Sequence, residues 1–324
     1  MRLQILVNHY KEPSITVSRL LASIARQSCV DPSDYEVLVY SDGTELYDGV
    51  VERFGVRYRS LPHRGVCATR NALMDDADAE YLVFCDADDY FHSSLGLWRI
   101  LKAIDDLGCD VIGSPYEKEL IRDGRPTYEP MRRDTIRVHG KAFKRSFLVE
   151  NDIRFPDEME FSGDMYFTWL AYNLGDSAWM PDSFYVWADN PASVTRANPN
   201  HRLDTYGVML RNYELLLLNL EERGRDDLRD ALVGSLFSMM CINDCDPRYM
   251  DGPDESVATA REAMREFSTK YGHLYGSISD ALRKRTYDSS ERLHGGGPGV
   301  DAVGEWISAI TEAPCERSSS GTAR

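Results

Sequence analysis

Short apolar runs alternate with helical-period stretches through the first half of the chain. Residues 3–7 form an apolar run, and then Val17, Leu20, Leu21 and Ile24 recur at helical spacing. Residues 35–40 give the next strand, which ends at Ser41-Asp42-Gly43, and residues 56–59 give a shorter one. Residues 68–74 read as helix and 81–85 as strand. Leu97, Ile100, Leu101 and Ile104 then share one helical face, with Ser93 or Ser94 as its cap and Gly108 as its stop. Residues 110–113 resume strand character. Repeated strand–helix–strand units imply an α/β fold with a mostly parallel sheet covered by helices on both faces.

From 116 to 137 the pattern is charged and aperiodic, which predicts a hairpin or loop excursion over the active face. Helical signal returns over 141–151 and after Asp164, where Phe167, Leu170, Ala171 and Leu174 share a face. Past residue 200 strand signals vanish. Three apolar faces follow: Leu210, Tyr213, Leu217 and Leu220; Leu228, Leu232 and Leu236; Ala260, Met264, Phe267 and Tyr271. The expected organisation is an α/β domain over 1–200, a helical subdomain over 201–290 and a flexible tail over 291–324. The tail expectation rests on Gly295-Gly296-Gly297-Pro298-Gly299 and Ser318-Ser319-Ser320-Gly321, with a short helix around 303–310 interrupting it.

Composition narrows the function. At 324 residues the chain can bury a full core, and 43% hydrophobic content is that of a globular protein. A net charge of −16 argues against nucleic acid or an anionic membrane surface as a partner of the whole molecule, and leaves room for a local basic pocket built from His63, Arg64 and Arg70. Seven unevenly spread cysteines do not make a disulfide framework. Residues 1–4 lead straight into a strand pattern, and no apolar run has the length of a transmembrane span. A cytoplasmic enzyme or binding protein is the expectation.

The chemistry concentrates where the strand at 81–85 runs into Asp86, Asp88 and Asp89. Carboxylates at the end of a buried strand lie at the sheet edge, where ligands bind. Crowded acids raise one another's pKa unless a cation sits among them, and Mg²⁺ or Mn²⁺ prefers such oxygen ligands. A solvated acidic turn is the alternative. An EF-hand fits poorly: counted from Asp86, Phe91 stands at the glycine position and Leu97 at the closing glutamate. Asp42, at the end of a strand, suits either recognition of a ribose or base or a local turn. Arg70 offers a planar fork for carboxylate or phosphate. Asp164 stands at a helix start, where an acid also serves as a cap. Walker-type, G-x-G-x-x-G and G-x-S-x-G motifs are absent.

Taken in order, Val7-x-x-Tyr10-x-Glu12, Asp42-Gly43, Gly65-Val66-Cys67-Ala68-Thr69-Arg70-Asn71 and Asp86-Ala87-Asp88-Asp89 resemble the family 2 glycosyltransferases of GT-A fold. The family's motifs run strand–Pro-x-Tyr-Asn, strand–Asp-Asp-Gly-Ser, Gly-x-Ser-x-Ala-Arg-Asn and Asp-x-Asp-Asp. The similarity continues through Gly140-Lys141-x-Phe143-x-Arg145, Ile153-Arg154-Phe155, Asp164 and Pro191-Ala192-Ser193-Val194-Thr195-Arg196, and so covers roughly residues 1–200. Asn8, Lys11 and His63 depart from the pattern, and Gly163 replaces the glutamate of the family's Glu-Asp pair.

The resemblance implies an inverting, metal-dependent glycosyltransferase that moves a sugar from a nucleotide-diphosphate sugar, UDP by default, to an acceptor hydroxyl. Asp164 would be the base. Tyr10, Glu12, Asp42, Arg70, Asp86 and Arg196 would bind the donor, and Asp88 and Asp89 would hold Mn²⁺ or Mg²⁺. His139 and His201 are open candidates for the metal shell or the acceptor. The acceptor (glycan, protein or other hydroxyl) is unread, and the helical part is a candidate surface for a partner or for self-association. The competing expectations are a nucleotidyltransferase and a non-catalytic sugar-nucleotide-binding protein.

Overall fold

The computed structural model describes residues 1–157, 159, 163–190, 198 and 200–312. It divides into two compact units, Met1–Pro191 and Ala192–Arg324.

In the first unit, β1 (Leu3–His9), β2 (Tyr35–Asp42), β3 (Arg57–Leu61) and β4 (Tyr81–Asp86) pair in parallel, with β1 between β2 and β4. Helices α1 (Ser14–Ala25), α2 (Asp48–Phe54) and α3 (Val66–Asp75) follow the first three strands, and β5 (Tyr90–Phe91) and α4 (Gly96–Leu107) follow the fourth. Beyond β4 the sheet continues through β9 (Lys141–Lys144), β6 (Val111–Gly113) and β10 (Ser177–Trp179). Here β9 runs antiparallel to both of its neighbours. A second sheet joins β5, β11 (Tyr185–Trp187), β7 (Tyr116–Arg122) and β8 (Arg125–Met131). The excursion over 116–137 is thus a hairpin. The strand order 3-2-1-4 reverses beside β1, and open α/β sheets bind ligands at such a switch point.

Two expectations change. Residues 141–151 do not form one helix: Lys141–Lys144 is an inner strand, and only α5 (Arg145–Glu150) is helical. Ala142 and Phe143 are buried in a strand flanked on both sides, so tertiary pairing overrides helical period. The serine cap of α4 is also replaced. Its first turn is met instead by Gln27, whose Oε1 accepts from the Leu97 N–H at 2.9 Å.

One sheet face packs on α1 and α4 through Val17, Leu20, Leu97 and Ile100. On the other, Phe84 meets Phe143, Phe155 and Phe167 edge-on, with centroids 5.2–5.9 Å apart. Phe167 belongs to α6 (Gly163–Leu174), so this cluster fixes the helix that carries Asp164.

In the second unit every described element is helical: His201–Asp204, Tyr206–Glu222, Asp226–Cys245, Asp254–Ser277, Asp280–His294 and Val300–Glu312. Leu217, Leu220, Leu232, Leu236, Met264 and Phe267 fill its core. The helices at 226–245 and 280–294 approach closely at Gly234, where a Cβ would stand 2.6 Å from Thr286 Oγ1. The short helix expected within the glycine-rich C-terminal stretch is present as Val300–Glu312. Val303 and Trp306 are buried there, and Trp306 Nε1 donates to Asp244 Oδ2 at 2.9 Å, so apolar anchoring outweighs the glycine-rich lead-in. Among the described residues no helix is long and apolar enough to cross a membrane.

Candidate active site

The carboxyl ends of β1, β2 and β4 converge on one face. At the end of β1, His9 holds the following turn in place: its ring nitrogens lie 2.7 Å from Ser41 Oγ and 3.0 Å from the Glu12 carbonyl oxygen. That turn passes through Lys11 at φ 64° and is closed by the Tyr10 N–H, which donates to Glu12 Oε2 at 2.6 Å. Burial, reinforced by Asp88 and Asp86, raises the Glu12 pKa to about 7 against the backbone hydrogen bonds that lower it. Tyr10 stacks on His63 with centroids 4.8 Å apart and planes at 11°. His63 in turn lies 2.8 Å from Asp42 Oδ2 through Nδ1. The Asp42 carboxylate also accepts from the backbone N–H groups of Arg64 at 2.7 Å and Gly65 at 3.0 Å. Asp42 therefore organises the entry to α3, where Gly65 takes φ 93°.

Arg70 is the hub. It is only 4% exposed, and its guanidinium spans three partners. Nη1 donates to Asp164 Oδ1, Nη2 to Asp86 Oδ1 at 2.8 Å and Nε to Asn8 Oδ1 at 3.2 Å. Its plane lies 5.3 Å over the Phe155 ring. Burial opposes its charge, but Asp164 and Asp86 outweigh burial and raise its pKa. The next residue, Asn71, fixes the loop before α6: its side chain donates to the Phe155 carbonyl at 2.8 Å and accepts from the Phe155 N–H at 3.0 Å. Asp164 Oδ2 accepts from the Val138 N–H at 3.2 Å.

The three acids behave differently. Burial works against the charge of Asp86, yet Arg70 holds its pKa below the ordinary value. Burial and Asp86 raise Asp88, whose Oδ2 accepts from Asn190 Nδ2 at 2.8 Å. Asp89 is fully buried and is raised most strongly, by burial and then by its two acidic neighbours. Its oxygens accept from the Ala188 N–H at 2.8 Å and from the Tyr185 hydroxyl.

His139 lies against this cluster, with Nε2 4.0 Å from Asp86 Oδ2 and Nδ1 3.9 Å from Asp89 Oδ2. Burial lowers its pKa, which favours the neutral ring, and among the described residues Nδ1 is buried without a hydrogen-bond partner. Asp86, Asp89 and His139 present ligand atoms within 4.8 Å of one another. A neutral imidazole with an unpartnered nitrogen beside two carboxylates fits a divalent cation. Tyr185 and Trp187 stack on the same ring at 5.3 and 6.0 Å. Behind it Lys141, fully buried, donates to the His139 carbonyl oxygen at 3.1 Å. Burial pushes its pKa down to about 8, although Asp134 and Asp164 oppose the shift.

Of the residues expected from sequence, Tyr10, Glu12, Asp42, Arg70, Asp86, Asp88, Asp89 and Asp164 all belong to the first unit, around these strand ends. The ligand grouping joins Asp86 to Asp89 and His139, while Asp88 pairs with Asn190. Arg196 lies outside the described residues, and His201 belongs to the second unit. Lys141, Tyr185, Trp187 and Asn190 were not anticipated. Lys141 alone carried a signal, its place in Gly140-Lys141-x-Phe143.

Residues 5–159 match the family model described as glycosyl transferase family 2. The chain carries a family 2 glycosyltransferase domain. It is 25% identical over 266 residues to the poly(ribitol-phosphate) beta-N-acetylglucosaminyltransferase TarS of Staphylococcus aureus, over 75% of this chain and 45% of TarS. The chain thus spans about half the length of that relative. The crystal structure of S. aureus TarS 1-349 in complex with UDP-GlcNAc shares the fold, with a TM-score of 0.65, 19% identity and coverage of 95% of this chain and 92% of that one. The mannosyltransferase PcManGT from Pyrobaculum calidifontis, in complex with GDP-Man and Mn²⁺, is similar at a TM-score of 0.50 and 15% identity, over 95% and 84% of the two chains. The mostly parallel sheet with helices is the GT-A architecture that the motifs predict.

Proposed function

We propose that the protein is an inverting glycosyltransferase that moves a sugar from a nucleotide-diphosphate sugar, UDP by default, to an acceptor hydroxyl. One observation carries this reading: a single buried guanidinium, Arg70, joins the acid at the end of β4 to the acid at the start of α6. Donor-side and acceptor-side carboxylates thus stand at the span of one side chain. The family 2 domain and the UDP-GlcNAc complex of TarS support the donor class.

In the reaction, the acceptor oxygen attacks the anomeric carbon as its proton passes to Asp164. The bond from that carbon to the diphosphate breaks on the opposite face, and the electron pair leaves with the nucleoside diphosphate. General-base help of this kind contributes about 10²–10⁴-fold. Tyr10, Glu12 and Asp42 line the donor end, while Arg70 keeps Asp86 ionised and holds Asp164 in register. Asp86, Asp89 and His139, with Asp88 beside them, would hold a divalent cation, which supplies charge neutralisation for the leaving diphosphate. Arg196 and a cytoplasmic location complete the proposal. The latter fits the free thiols found at all six described cysteines.

The acceptor reading follows from the loop beside Asp164. Arg132 and Arg133 are exposed on the same loop, and Arg137, ion-paired with Asp134, and Lys118 lie 4.9 and 5.6 Å over the Trp187 ring. In a chain of net charge −16 this local basic rim suits an anionic, phosphate-bearing hydroxyl acceptor, the class named for TarS.

The test is a panel of UDP- and GDP-sugars with Mn²⁺ or with EDTA, in which thermal shift reports binding and product analysis reports chemistry. Release of nucleoside diphosphate supports the proposal. Release of pyrophosphate would make the protein a nucleotidyltransferase, and donor binding with neither transfer nor hydrolysis would make it a binding protein.

A further inference from the structure

Gly163 stands where the resembling family places the glutamate of its Glu-Asp pair, and the structure gives a reason from across the contact. A Cβ built on Gly163 would lie 2.3 Å from Cys67 Sγ, but 3.7 Å from Pro156 Cδ and 3.9 Å from Cys67 Cβ. Among the described residues the sulfur alone obstructs; the other two distances are ordinary van der Waals contacts. Cys67 is itself a departure, since it occupies the serine position of Gly-x-Ser-x-Ala-Arg-Asn. The two departures touch each other.

Their placement gives the contact a consequence. Cys67 lies on α3 one turn before Arg70, and Gly163 directly precedes Asp164 on α6. The same two helices are therefore joined twice, once by the sulfur packed on the glycine and once by the guanidinium on the carboxylate. Cys67 is fully buried, and burial pushes its thiol up to about 12, so it acts through volume and not charge. Residue 163 gains a side chain only if the Cys67 sulfur turns away within its packed surroundings or the first turn of α6 moves off α3, and in the second case Asp164 moves with it.

We propose that Cys67 and Gly163 are a matched positioning pair: the sulfur sets how closely α6 approaches α3, and so where the Asp164 carboxylate stands relative to Arg70 and Asp86. This rests on the reading of Asp164 as the base.

The experiment is a double-mutant cycle of wild type, Gly163→Ala, Cys67→Ala and the double variant. It is read by kcat and KM for transfer, by direct donor binding and by thermal unfolding. Gly163→Ala lowers kcat about 10–100-fold, as expected for a catalytic group displaced by around an ångström, while donor affinity stays within about twofold. Cys67→Ala opens space and costs less. Adding it to Gly163→Ala removes the obstructing sulfur and returns kcat to the Cys67→Ala level, a strongly non-additive result. Wild-type turnover by Gly163→Ala, or a double variant no faster than Gly163→Ala, overturns the pairing. If Gly163→Ala does not fold, the double variant decides alone: recovery of folding with turnover supports the pair, and recovery of folding without turnover overturns the positioning role. Wild-type protein that transfers no sugar overturns the functional reading itself. Wild-type transfer with an additive cycle overturns only this inference.

Discussion

Arg70→Ala removes the cation that two acids share, and its cost can be worked from the geometry. Asp86 and Asp164 are 28% and 21% exposed at the side chain, so both would remain largely desolvated without their partner. Breaking a buried ion pair costs about 3–5 kcal/mol. Partial solvent screening of the two acids brings the expectation to roughly 2–4 kcal/mol. For a unit the size of Met1–Pro191, each kcal/mol shifts Tm by about 2–4 °C, so the first unit should melt roughly 5–15 °C lower. The pH dependence is more diagnostic than the size. In the wild type the Asp86 pKa is depressed, so its stabilising contribution is present above the unfolded carboxylate value of about 4 and is lost as pH falls through the folded value. In the variant the largest group opposing burial is gone, with His139 and the Asn8 hydrogen bond left, so the Asp86 pKa rises relative to the wild type and the variant loses less stability on acidification. The gap between the two proteins is therefore widest near pH 7–8 and narrows toward pH 4. Calorimetric melts in EDTA across that range measure it. A gap below about 1 kcal/mol, or one that stays constant or widens on acidification, refutes Arg70 as the hub.

Three further outcomes follow from the same site. Asp88→Ala weakens the metal-dependent part of donor binding while binding in EDTA is unchanged, as titration with and without Mn²⁺ would show; tight metal-dependent binding by the variant contradicts the assignment. Lys141→Met removes a buried amine with a pKa near 8. The wild-type folded state binds fewer protons than the unfolded chain between pH 8 and 10.5, so wild-type stability rises relative to the variant by roughly 3 kcal/mol across that window, measurable by denaturant titration. Arg132→Ala with Arg133→Ala flattens the salt dependence of transfer to a phosphate-bearing acceptor and leaves donor affinity unchanged; an unaltered salt dependence contradicts the anionic acceptor.

The sequence made β1, β2 and β4 legible because each is a short apolar run closed by turn residues, and each ends in residues that form the site. It concealed β9, since Lys141 and Lys144 around Ala142-Phe143 carry no strand period, and only neighbours on both sides bury that segment. The strands β10 and β11 are three residues each, too short to show a pattern. At the site, residue types were readable but partnerships were not. Arg70 meets Asp164 across 94 positions, and Asp89 meets Tyr185 across 96. Gly163 looked like a loss until Cys67 stood against it. Asp42 suited either nucleoside recognition or a local turn. In the fold its carboxylate is occupied by the backbone N–H groups of Arg64 and Gly65 and by the His63 ring, which couples any donor contact there to the position of α3.

The central claim is a division of labour between the acids of β4, which face the donor, and Asp164, which takes the acceptor's proton. Asp164→Asn tests it most directly, because the amide keeps the shape and can no longer accept that proton. Donor affinity and the rate of transfer to the acceptor should be measured on the same preparation. The account predicts donor affinity close to wild type and a transfer rate lower by about 10²–10⁴-fold. Transfer at the wild-type rate, or a loss explained entirely by weaker donor binding, would contradict it.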